Sequence, residues 1–163
     1  MTQIEHRDHV GTVLEQWKRE RPDIDVTPMA VIGRLSRVAR RVDDKLARHF
    51  ALHGIDAATF DVLATLRRSG DPYSLSPKDL RESSMVTSSA IAQRLNKLEA
   101  DGLIERTANH SDGRGKQVHL TDKGRQVIDD LLPGHVAAER EFLETLTSNQ
   151  QGILAALLAS LDH

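Results

Sequence analysis

Thr87, Ser88, Ser89, Gln93, Asn96 and Lys97 crowd hydroxyls, amides and one ammonium group into a short stretch of chain. On a helix turning about 100° per residue, Ser89, Gln93, Asn96 and Lys97 gather on one face, and Ile91, Leu95 and Leu98 form an apolar stripe on the other. Such a polar face suits the DNA major groove, where amides and hydroxyls reach base edges and a lysine reaches phosphate. It would equally suit an ordinary amphipathic surface helix, so the flanking chain has to decide. Arg94 lies about 60° from the apolar stripe and faces partly inward, which suits coupling rather than base contact.

The flanks read as a helix-turn-helix with a wing. Ser76 caps and Pro77 opens a short helix before the turn from Ser83 to Val86. Thr87 or Ser88 can cap the second helix, and Gly102 ends it. Leu103 to Arg106 and Gln117 to Leu120 are short strands around a polar, glycine-punctuated loop from Asn109 to Lys116. A lone Gly-Arg-Gly is usually a solvated loop. Directly after such a helix, Arg114 reads as a probe for the minor groove or nearby phosphates, with Lys116 beside it.

The rest of the chain must carry that reading head. Val10, Val13, Leu14 and Trp17 give a first helix from His6 to Glu20 one apolar edge, and Trp17 reads as a packing anchor. Thr27-Pro28 starts a long second helix whose stripe of Ile32, Leu35, Val38, Val42, Leu46 and Phe50 runs to Gly54. Its arginine-rich opposite face reads as a solvated surface, and His49 and His53 lack the partner cluster a metal would need. Asp56 caps a third helix, on which Asp61 and Arg68 share one edge with Thr65 nearby. Such an edge can be structural or can line a polar pocket. After the wing, Thr121 opens a helix that Pro133-Gly134 should kink or break, and Ser148 to Gln151 fits a capping box for a last helix. The terminal helices are too apolar to stand alone and are expected to pair within and across two subunits.

The expected fold is mainly α with a small β-hairpin wing. Residues 1–54 and 126–163 would form a helical dimerisation lobe and 55–125 the winged helix-turn-helix domain. A chain of 163 residues suffices for that plan, and the absence of cysteine excludes disulfides and thiol-based redox sensing. No membrane span or signal peptide is visible, so a cytoplasmic location is expected. The net charge of −2 suits DNA poorly, but residues 76–125 carry nine Lys or Arg against seven Asp or Glu, whereas 126–163 carry one against six. The weakly basic middle calls for a dimer with two reading heads.

Taken with the segment Asp112-Gly113-Arg114…Leu120-Thr121-Asp122-Lys123-Gly124, this order of elements resembles the MarR family of dimeric winged-helix transcription regulators. It is most similar to the urate-responsive branch, through Trp17, the Glu20-Arg21-Pro22-Asp23 segment, the run from Phe60 to Arg68, Arg94 and Arg106. The resemblance implies a homodimer, a repressor released from double-stranded DNA by urate or a related purine, with no other cofactor. It also implies that Trp17 closes over the ligand, Arg68 and Arg106 bind its oxygens, Asp61 sits beside it, and Arg94 relays the change. A phenolic effector would suit the same arginines, and a winged-helix module for protein assembly is the competing class. No glycine-rich phosphate loop or Ser-His-Asp spacing supports an enzyme.

Overall fold

Asp8, Asp56, Ser76, Thr121 and Thr147 set where five helices begin, each accepting the backbone N–H three residues on. The computed structural model describes residues 8–85, 88–108 and 116–162. The chain divides into two compact units, Met1–Asp44 and Lys45–His163. In the first, helix α1 (His9–Glu20) lies beside the opening turns of α2 (Thr27–Ala51), where Val10 is buried close against Gly33. Arg34 reaches back to the capping Asp8 at 2.8 Å.

The second unit takes up the end of α2 and continues with α3 (Ala57–Arg68), β1 (Ser74–Leu75), α4 (Pro77–Ser83), α5 (Ser88–Ala100), β2 (Ile104–Ala108), β3 (Lys116–Leu120), α6 (Asp122–Phe142) and α7 (Ser148–Ala159). This is the mainly helical, winged fold that the sequence implies. Its core is α3, with Val62, Leu63 and Leu66 fully buried among Leu80 of α4, Ile91 and Leu98 of α5, Ile104 and Val118 of the sheet, and Ile128 of α6. Each fully buried Leu or Ile contributes about 1.5–3 kcal/mol. The reading head is therefore bolted to α3 by the apolar stripe read from the sequence. Among the described residues, no helix is long and apolar enough to cross a membrane.

Several local expectations need correction. The wing strands are longer than expected, since β2 reaches Ala108 and β3 begins at Lys116. A third strand, β1, joins β3 antiparallel in the order β1-β3-β2, with Leu75 opposite Val118. A two-residue strand leaves no periodicity to find. Pro133 does not break α6, which runs unbroken from Asp122 to Phe142. The hydrogen bond that proline forfeits is offset by packing on both sides of it. Ile128 and Leu131 are buried before it, and after it His135 stacks on Phe50 and packs against Phe60. The capping box is Thr147–Gln150, one residue earlier than read. Gln151 instead donates to the carbonyls of Leu143 and Leu146, closing the preceding turn. The first helix runs from His9 with Asp8 as its cap, and His6 and Arg7, which the sequence reading included, lie outside the described residues.

Gly124 sits where α6 leaves the wing. A Cβ there would fall 2.0 Å from the carbonyl oxygen of Leu103 and 2.9 Å from Leu120 Cδ1. The backbone cannot yield as a flexible side chain would, so Gly124→Ala should cost at least about 1–3 kcal/mol and lower the melting temperature of the second unit by several degrees. Thermal unfolding followed by circular dichroism reads this directly, and an unchanged midpoint would contradict the packing described.

Candidate nucleic-acid interface

The stripe of Ile91, Leu95 and Leu98 is buried, which turns the opposite face of α5 outward. Ser89, Gln93, Asn96 and Lys97 are all exposed on it. Ser88 opens the helix, but its side chain, together with Thr87 and Arg114, lies outside the described residues. Lys116 is exposed at the first position of β3, opposite Ala108. The outward face of α5 thus offers amides, a hydroxyl and a cation, with the wing strands beside its last turn. Such a face can enter a groove and read it.

What holds that face in place lies on the polar edge of α3. Asp61, Thr65 and Arg68 follow one another along the helix at spacings of four and three, and so line one side. Asp61 is buried, and its Oδ2 accepts the backbone N–H of Met85 at 2.8 Å. Thr65, also buried, approaches the hydroxyl of Ser84 at 3.5 Å. Arg68 donates to the carbonyl of Ser83 and stands 4.0 Å from Asp61. Three successive residues, from the end of α4 into the turn before α5, are therefore tied to α3. Of the two readings left open for this edge, structural or pocket-lining, it is at least the first.

Two further arginines grip α5. Arg94, half-buried as its angular position implies, pairs with Asp56 at 2.5 Å and so joins the reading head to the start of α3. Partial burial alone would raise the Asp56 carboxyl, but the Thr59 N–H and the Arg94 guanidinium together hold it below the usual carboxylate range. Arg106 shares the inward face of β2 with Ile104, two residues earlier, and this alternation delivers its guanidinium to the last turn of α5. There Nε donates to Glu99 Oε2 at 2.9 Å, and Nη2 donates to the same oxygen.

The second unit thus brings Asp61, Arg68, Arg94 and Arg106 to contacts with the helix-turn-helix. Trp17 belongs to the first unit, where it is 41% exposed. Asp56 and Glu99 were missed as partners. Asp56 reads as a helix cap, and nothing in the spacing links Glu99 to a strand residue. Among the described residues, no group of three or more His, Cys, Asp or Glu side chains could hold a metal. His49 instead packs against Gly134, where a Cβ would lie 2.6 Å from its ring.

The Asp56 bridge has a sign in pH. A carboxyl whose folded value is depressed stabilises the fold above its unfolded value, near 3.9, and loses that contribution as pH falls through the folded value. Melting midpoints should therefore drop below about pH 4 in the parent, with a shallower drop in Arg94→Gln. Parallel profiles for the two proteins would mean that the pair contributes nothing to the acid transition.

A model of the MarR family matches residues 53–115, which span α3, the helix-turn-helix and the first wing strand, β2. The HTH-type transcriptional regulator PecS of Dickeya dadantii is 39% identical over 94% of this chain and 92% of its own length. Among solved structures, Sco3205, a MarR family transcriptional regulator from Streptomyces coelicolor in complex with DNA, superposes with a TM-score of 0.77. It is 26% identical, covering 85% of this chain and 88% of that one. A mutant MarR from E. coli complexed with operator DNA gives a TM-score of 0.71 at 25% identity over 89% of this chain and 96% of that one. With its helix-turn-helix, its wing and a relative of this identity along nearly the whole length, the chain belongs to the MarR family of winged helix-turn-helix transcriptional regulators and is a PecS-like DNA-binding protein.

Proposed function

We propose that two copies of this chain bind duplex DNA as a repressor and release it when a small planar anion, urate or a related purine, binds. The carrying observation is that Asp61 and Arg68 hold the turn of the helix-turn-helix at Ser83 and Met85. An anion that engaged Arg68 would compete with the Ser83 carbonyl and place negative charge beside Asp61. Both effects loosen the turn that orients α5. Urate is a flat anion near neutral pH, so guanidinium groups can pair with it bidentately and the indole of Trp17 can stack on it. Arg94 carries the disturbance onward through Asp56. For release, the ligand must bind the loosened state more tightly than the DNA-binding one. A phenolic anion meets the same arginines with fewer acceptors, and urate is preferred for that reason.

DNA contacts are assigned to Thr87, Ser88, Ser89, Gln93, Asn96 and Lys97 on the reading helix and to Arg114 and Lys116 on the wing. Dimerisation is supported by apolar surface that each chain leaves uncovered. Ile153, Leu154, Leu157 and Leu158 of α7 are exposed, as are Ile32, Leu35 and Val38 of α2. Faces of this size on monomeric proteins mark association sites.

The test uses a duplex selected by the parent protein from a random-sequence pool. Its affinity should fall steeply with salt, and Gln93→Ala should weaken binding to that duplex by about 1–3 kcal/mol, relaxing sequence preference. Urate should quench Trp17 fluorescence and release the duplex in the parent, and Trp17→Phe should bind urate less tightly. Salt-independent or absent duplex binding would favour the protein-assembly reading. Unchanged fluorescence with unchanged DNA affinity would remove urate as the effector.

A further inference from the structure

Glu99 closes the last turn of α5 and faces two cations of the wing. The Arg106 hydrogen bond is the main reason its carboxyl lies below the usual carboxylate range, and Lys116 adds to that field. The grip is incomplete in one respect. Both Arg106 donors fall on the same oxygen, Oε2. A guanidinium offers two parallel N–H groups that match two neighbouring acceptors, so one-oxygen pairing leaves the stronger, two-point geometry unused. The pair is also accessible, with Arg106 31% and Glu99 37% exposed, and solvent-exposed ion pairs are held weakly. A planar anion with adjacent acceptors can therefore displace this carboxylate at small cost.

We infer that Glu99 is an internal competitor for the effector: it fills the anion site of Arg106 in the unliganded protein and thereby ties the wing to the reading helix. This rests on the effector reading above. When the anion takes the guanidinium fork, Glu99 is released, the strut between β2 and α5 is cut, and a free carboxylate is left at the end of the helix that faces DNA. Glu99 is thus a positioning residue, acting on DNA and on effector through Arg106. Because carboxylate and effector exclude each other, removing the carboxylate must strengthen effector binding while weakening the DNA-competent arrangement.

Full-length Glu99→Gln, Arg106→Gln and the double variant test this against the selected duplex and urate, with melting temperature as a folding control. Without urate, each single substitution should weaken duplex binding by about two- to fivefold, and the double variant no further than either. Glu99→Gln should bind urate severalfold more tightly than the parent and Arg106→Gln severalfold less tightly. Opposite signs from two halves of one salt bridge are not what a merely structural pair would give. Additive losses, no loss of duplex affinity in the single variants, or Glu99→Gln binding urate no better than the parent would overturn the inference. A parent that binds no urate overturns the effector reading instead, and the urate-free cycle then decides the strut by itself.

Discussion

A buried carboxylate aimed at a backbone amide sets the position of the reading head. Asp61 lies on α3, the most deeply packed helix of the second unit, and accepts the N–H of Met85 just before α5. A hydrogen bond to a charged group contributes about 1.5–3 kcal/mol, and leaving a buried partner unsatisfied costs a similar amount. Apolar packing alone would let α5 rotate or slide by small amounts, because Ile91, Leu95 and Leu98 recognise volume rather than direction. Directional bonds that Asp61 and Thr65 accept from Met85 and Ser84, and that Arg68 donates to Ser83 at the end of α4, remove that freedom.

The same residues are the points at which the proposed anion would act. Arg68, Arg94 and Arg106 each tie part of the helix-turn-helix or wing to a carbonyl or carboxylate, and each partner is one that an anion can replace. A regulator that releases DNA on binding an anion, as proposed here, gains from clamps that are polar and partly accessible. Apolar clamps would be stronger but would have no chemistry in common with an anionic ligand. The charge distribution follows the same division of labour. The weakly basic middle of the chain carries the helix-turn-helix, and the C-terminal segment, with one Lys or Arg against six Asp or Glu, is acidic.

Much of this was legible before any coordinates. The polar face of α5, its buried stripe, the inward lean of Arg94 and the shared edge of Asp61 and Arg68 all follow from helical geometry, which sequence spacing encodes well. What was not legible depends on which distant groups meet. The pairing of Arg106 with Glu99 needs the alternation of β2 and the angle of the wing, and the bond from Asp61 goes to a backbone N–H that every residue possesses. Pro133 shows the limit of local rules. Its usual effect on a helix is overridden by packing on both sides, of which the sequence around it gives no sign. Strand β1 is too short for any periodicity, and the third strand of the wing sheet appears only from its register with β3.

Amide hydrogen exchange at Met85 tests the central claim most directly. If the Asp61 bond fixes the turn, the Met85 amide should be protected in the parent protein. It should exchange at least about tenfold faster in Asp61→Ala, corresponding to the loss of roughly 1.4 kcal/mol or more, while the α3 core amides remain protected. DNA affinity should fall in the same variant. Equal protection of Met85 in the two proteins, or a fast-exchanging amide in the parent, would contradict the account.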